Sequence, residues 1–171
     1  MKKYAEKDGY VCYLLEEADW EASKAISLAV CSDSGDEDVY EEDEISNDEF
    51  WKYGLKIEGQ KFFCLMWDDT LIGTGSVDVE QSPSHISNVY ILKAHRGNKF
   101  VQIIQEGCLR YLADEGYGAA IMEVSEENES AKKMAERSGF RYVHLKDGFH
   151  RYERSLDDFS PDLDEPTPPG M

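Results

Sequence analysis

Three short stretches of this sequence combine residue types that do chemistry. In the first, Val89-Tyr90-Ile91 runs through His95-Arg96-Gly97-Asn98 into Lys99-Phe100-Val101-Gln102, a β-forming run followed by a glycine turn and an amphipathic helix. Such a turn offers an anion the unpaired N–H groups and the positive dipole end of the helix. Taken alone, Arg96-Gly97-Asn98 reads as an ordinary helix-capping turn. The second stretch is Met122-Glu123-Val124. A carboxylate near a strand end suits a base that removes a proton directly or through water; it also suits a plain exposed strand position. The third is Asn128, which reads as the cap of the helix starting at Glu129. Asp78 and Glu80, at the end of a hairpin, are further carboxylates. Tyr90 and Tyr142 are phenols with a proton to give, although a buried core role is the commoner one for tyrosine.

Other chemistries find little support. His85, His95, His144 and His150 lack ligand spacing such as H-E-x-x-H and any partner that suggests a Ser or Cys triad, so they read as surface or turn residues and no metal is implied. Cys12, Cys31, Cys64 and Cys108 are scattered without a C-x-x-C pair and read as reduced core residues. The net charge of -18 argues against nucleic acid, whose affinity comes from Lys and Arg displacing counterions. It favours cations, such as polyamines, aminoglycoside-like amines or Lys-rich surfaces, or simply keeps the chain soluble. Residues 1–8 are short and charged rather than a leader, and no apolar run reaches the roughly 18 residues of a membrane span. A cytoplasmic protein without a membrane partner is the expectation.

The elements that must position these residues follow from pattern. With 171 residues, 41% of them hydrophobic, the chain supports one core. We expect a single domain over residues 1–156 and a disordered acidic, Pro-rich tail over 157–171. Residues 10–17 read as a strand running into a helix capped by Asp19. Residues 32–49 are so acidic that a loop is expected. A helix capped by Ser46 or Asn47 follows, then a hairpin of strands 61–67 and 71–79, and a third strand over 85–92. Phe100, Ile103, Ile104, Cys108, Tyr111 and Leu112 share one face of the clearest helix, which Gly116 ends. A strand at 119–125, a helix ending at Ser138-Gly139 and two closing strands complete an α+β or mixed α/β arrangement around a central sheet.

Residues 88–140 resemble the acetyl-CoA core of the GCN5-related N-acetyltransferase superfamily. That family has a strand leading to Arg/Gln-x-x-Gly-x-Gly/Ala, then Asn-x-x-Ala-x-x-hydrophobic-Tyr-Glu-x-x-Gly-Phe. Asn128, Ala131, Met134, Glu136, Gly139 and Phe140 match the second element. Arg96 matches the first, while Lys99 and Val101 stand where small residues are usual and Ala135 stands at the tyrosine. Added Cβ atoms keep the backbone from closing on a pyrophosphate, which an ammonium at Lys99 would partly offset.

The resemblance implies the acyl-CoA N-acyltransferase fold, a mostly antiparallel mixed sheet flanked by helices. It implies acetyl-CoA as co-substrate, with Val89, Tyr90 and Ile91 along the pantetheine arm, and Arg96, Gly97, Asn98, Lys99, Phe100, Val101 and Gln102 about the pyrophosphate. Asn128 would hydrogen-bond the pantetheine near the thiol, in addition to or in place of capping its helix, Ala131 would also bind the cofactor, and Glu123 would be the base. An N–H near Ile91 or Leu92 would hold the oxyanion. Acetyl transfer to a primary amine of a cationic small molecule or a protein is the implied reaction, with the acidic stretch 32–49 facing the acceptor. The alternative is a non-catalytic acyl-CoA-binding or interaction domain with a degenerate site. A homodimer through the sheet edge or the closing strands, common in folds of this type, is a further expectation.

Overall fold

Among the described residues, eight strands form one sheet, ordered β1-β2-β3-β4-β5-β6-β8-β7. The computed structural model describes residues 1–36, 38–97 and 100–159. The strands are β1 (Lys2–Lys7), β2 (Tyr10–Leu14), β3 (Gln60–Trp67), β4 (Thr70–Asp78), β5 (Ser84–Ile91), β6 (Ala119–Ser125), β7 (Arg141–Lys146) and β8 (Phe149–Ser155). Among the described residues, only β5 and β6 run parallel. The helices are α1 (Trp20–Ser34), α2 (Glu42–Ile45), α3 (Asp48–Lys56), α4 (Phe100–Asp114) and α5 (Glu129–Arg137). This is the mostly antiparallel mixed sheet with flanking helices that the sequence leads one to expect. Among the described residues, no helix is long and apolar enough to cross a membrane.

Helix α4 lies across the centre of one face. Its buried stripe of Phe100, Ile103, Ile104, Cys108, Tyr111 and Leu112 joins Phe63, Leu65, Ile72 and Val77 in the main core. Two glycines on β4 let it come close: a Cβ on Gly75 would stand 2.6 Å from Ile104 Cγ2, and one on Gly73 would stand 3.2 Å from Ile104 Cδ1. Both distances are below ordinary van der Waals contact, so Ile104 seats itself in the groove that the missing side chains leave. On the opposite face α1 and α3 cover β3, and Ile26, Trp51 and Cys64 are buried there.

Three sequence expectations change. β1 went unread because its pairing with β2 shifts register between Lys3 and Ala5. That irregularity places Tyr4 and Ala5 both inside and erases the period-two signal. The acidic stretch 32–49 is not a plain loop: α1 continues to Ser34, and α2 and the start of α3 also fall within it. Tyr40 packs on Trp51 with ring centroids 4.9 Å apart, giving the segment an apolar anchor. The packed body also extends past 156, because Phe159 is buried beneath the Arg154 guanidinium. The rest of the expected tail lies outside the described residues.

Candidate active site

The parallel ladder between β5 and β6 is short. It pairs Ser84 with Ala120 and His85 with Ile121, and then no register links the two strands. A cleft of about 810 Å³ opens between their C-terminal halves, bounded also by α4 and α5. Val89, Tyr90, Ile91, Arg96, Gly97, Phe100, Val101, Glu123, Asn128 and Ala131 all line it, so most of the expected site converges from four elements. Gln102 does not; it lines a separate cavity of about 250 Å³. Asn98 and Lys99 lie outside the described residues.

A bulge shapes the β5 wall. Thr74 pairs with Tyr90 and Ser76 with Ser87, so Asn88 and Val89 together oppose Gly75. Asn88 takes φ +54, a left-handed conformation that Asn tolerates, and its Nδ2 donates to Ser76 Oγ at 3.1 Å. Beyond the bulge, Leu92 N–H donates to Ile72 O at 2.9 Å and is spent in the sheet. The alternation of an antiparallel ladder then turns the Ile91 N–H away from β4, towards the cleft. Of the two expected oxyanion donors, Ile91 alone is available.

The mouth is tied together by Asp33 at the end of α1. Its Oδ2 accepts from Lys93 N–H at 2.9 Å and from Tyr90 O–H at 2.8 Å. The Arg96 guanidinium lies 4.8 Å from the Tyr90 ring centre, and its Nε donates to Ile91 O at 2.9 Å. The Lys93 N–H first, and the Tyr90 hydroxyl second, hold the Asp33 carboxyl below its ordinary value, while burial and then Asp33 push the Tyr90 phenol up. Tyr90 therefore keeps its proton, already committed to Asp33. A depressed carboxyl contributes stability above its unfolded value of 3.8 and loses it as pH falls through the lower folded value. In urea unfolding, the stability gap between wild type and Asp33→Asn should hold steady above about pH 5 and close below about pH 4. A gap that does not vary with pH would show that the carboxylate charge is irrelevant to the tie.

Glu123 stands on β6 between Met122 and Val124, which are buried in the core that α4 covers, so its side chain alternates to the other face. It is exposed at the cleft and pairs across the ladder with Arg151. Asp78 and Glu80 are elsewhere: Asp78 pairs with His85, where β5 and β6 are still joined, and neither carboxylate lines the cleft. Tyr142 is half exposed on β7, against His150 and Tyr152, and does not reach the cleft. None of the four cysteines lines the cleft. Burial pushes Cys64 up to about 12 and Cys108 up as well, and burial followed by Asp36 raises Cys31.

Asn128 Oδ1 accepts from Ala131 N–H at 3.1 Å, so the capping role is realised at the cleft wall. Ala135 is fully buried, with no hydroxyl to offer. The sequence reading missed Gln105, Met122 and Arg137, which also line the cleft, and His95, which lines it from its turn. Gln105 had a readable signal, a carboxamide inside the apolar stripe of α4.

No curated protein sequence matches the chain significantly. Solved structures similar in fold include the RimL alpha-N-protein acetyltransferase of ribosomal L7/L12 in complex with coenzyme A. It is 11% identical with a TM-score of 0.66, over 91% of this chain and 99% of that one. The PaiA N-acetyltransferase of Thermoplasma acidophilum with coenzyme A is 13% identical (TM-score 0.64, 85% and 98% covered). The spermidine N-acetyltransferase of Vibrio cholerae with CoA and spermine is 16% identical (TM-score 0.66, 88% and 97% covered). The family model for the acetyltransferase (GNAT) family matches residues 12–140, and the chain therefore belongs to that family.

Proposed function

We propose that this chain moves an acetyl group from acetyl-CoA to a primary amine of a cationic small molecule or a protein. The observation that carries this reading is the unpaired stretch between β5 and β6, with a bulged strand on one wall and Glu123 on the other. The residues present fit the co-substrate. The bulged edge about Val89, opposite Gly75, leaves main chain at the cleft wall for an amide-bearing pantetheine arm, while the Ile91 carbonyl is taken by Arg96 Nε and the Ile91 N–H remains for the acyl oxygen. The N-terminus of the 15-residue α4 opens onto the same cleft, with Gly97 at φ +93 before it. Val101, at a position where the family favours glycine or alanine, packs partly against the core, so its bulk is not all presented to the phosphates.

Acetyl-CoA supplies an activated thioester, and the chain's own groups do the rest. Ile91 N–H, turned towards the cleft, would hold the acyl oxygen as it gains negative charge. Glu123 takes a proton from the incoming ammonium, directly or through water. Two of the fold neighbours are described with polyamine or protein substrates. The net charge of -18 and the carboxylates about α2 favour a cationic acceptor here.

The buried Ala135 supports a second reading, a CoA-binding domain without turnover. Thiol release from acetyl-CoA, followed on addition of spermidine or of a peptide with a free N-terminus, separates the two. Amine-dependent release supports transfer, whereas CoA binding with no release to any amine favours the second reading.

A further inference from the structure

The buried stripe of α4 has one polar interruption. Gln105 is 1% exposed and lines the cleft. Its carboxamide is pinned from one side: Ser138 Oγ donates to Gln105 Oε1 at 2.5 Å, and the Ser138 carbonyl accepts in turn from Arg154. With its oxygen held there, the amide nitrogen points to β6, where Nε2 donates to Met122 Sδ at 3.6 Å. A thioether is a weak acceptor, and an amide nitrogen has two hydrogens to place. A buried donor served only this well is costly unless a ligand completes it.

The position of the pair matters as much as its chemistry. Ser138 N–H bonds to Ala135 O at 3.2 Å, so the Gln105–Ser138 pair sits one turn from the residue that replaces the family's tyrosine. Ala135 leaves no phenol there, and the nearby buried amide donor of Gln105, at the cleft wall, meets only the Met122 thioether. We infer that Gln105 binds the sulfur of CoA, donating an Nε2–H hydrogen bond to the thiolate as it departs. The assignment rests on the acetyl-CoA reading above. As the thioester C–S bond breaks, its electron pair goes to sulfur; Gln105 stabilises that charge without giving up a proton, which the thiolate takes from water. A thiolate is a good leaving group and needs no stronger acid.

Comparison of CoA with desulfo-CoA tests this without turnover. The comparison is made by calorimetry at several pH values between about 7 and 10, because an alkyl thiol such as that of CoA ionises above the roughly 8.5 of cysteine and the thiolate fraction rises across that range. Wild type should prefer CoA over desulfo-CoA, and Gln105→Leu, which suits the apolar stripe, should reduce that preference about tenfold, as for a hydrogen bond to a charged group. Ser138→Ala, which frees the carboxamide without removing it, should lower the preference in the same direction. Both ligands weakened equally in Gln105→Leu would overturn the sulfur assignment and leave the cofactor reading intact. If neither ligand bound wild type, the cofactor reading would fall and this assignment with it.

Discussion

Glu123→Gln should lower kcat about 10²-fold or more while leaving the affinity for CoA unchanged. Gln has the shape of Glu and retains a polar neighbour for Arg151 across the β6–β8 ladder, so the change removes the basic function and little else. CoA affinity is expected to stand because the Glu123 side chain projects to the sheet face away from α4, whose first turn would hold the phosphates. The defect should also shrink at high pH. A primary amine with a pKa near about 10.4 needs no protein base once solvent has deprotonated it, so the ratio of wild-type to variant kcat should fall between about pH 7 and pH 10. A variant with wild-type kcat at pH 7 would remove Glu123 from the chemistry. A large loss that is flat with pH would point to lost acceptor orientation.

Ile104→Ala should cost about 2–5 kcal/mol in urea unfolding, with the m-value unchanged. Ile104 is fully buried and fills the groove above Gly73 and Gly75, two positions that have no side chain to move into the space left behind. The cavity would remain open, and the upper half of the range is expected for that reason. The same contact sets the height of α4 above the sheet, and with it the wall of the cleft. A loss below about 1 kcal/mol would mean that α4 settles onto the glycines, contrary to the packing described here.

The parts of the fold that could be read from sequence are those where one local period dominates. The β3–β4 hairpin is legible because Asp68 and Asp69 take positive φ, 46° and 64°, as a two-residue turn demands, and alternating strands flank them. α4 is legible from its stripe, and α5 from Asn128 at one end and Gly139 at φ +82 beyond the other. β1 is not, since its bulge breaks the alternation. The ordered pieces of residues 32–49 depend on Tyr40 meeting Trp51, a contact that composition does not reveal.

The site divides in the same way. Val89 to Ile91, Arg96 to Gln102 and Asn128 stand in recognisable motifs, and the structure gathers the described members, except Gln102, on one cleft. The cleft itself is a non-local property: it exists because β5 and β6 stop pairing after two residues. The tie of Asp33 to Tyr90 and Lys93 spans 57 and 60 residues, beyond any local pattern. The spent N–H of Leu92 follows from pairing with β4, which only the register shows.

Calorimetric titration of the purified protein with acetyl-CoA, with desulfo-CoA as control, asks most directly whether the cleft between β5 and β6 is built for this co-substrate. We expect saturable one-to-one binding in the micromolar range, about -8 kcal/mol. The absence of binding up to about millimolar concentration would contradict the acetyltransferase reading and leave a family fold reused as an interaction domain.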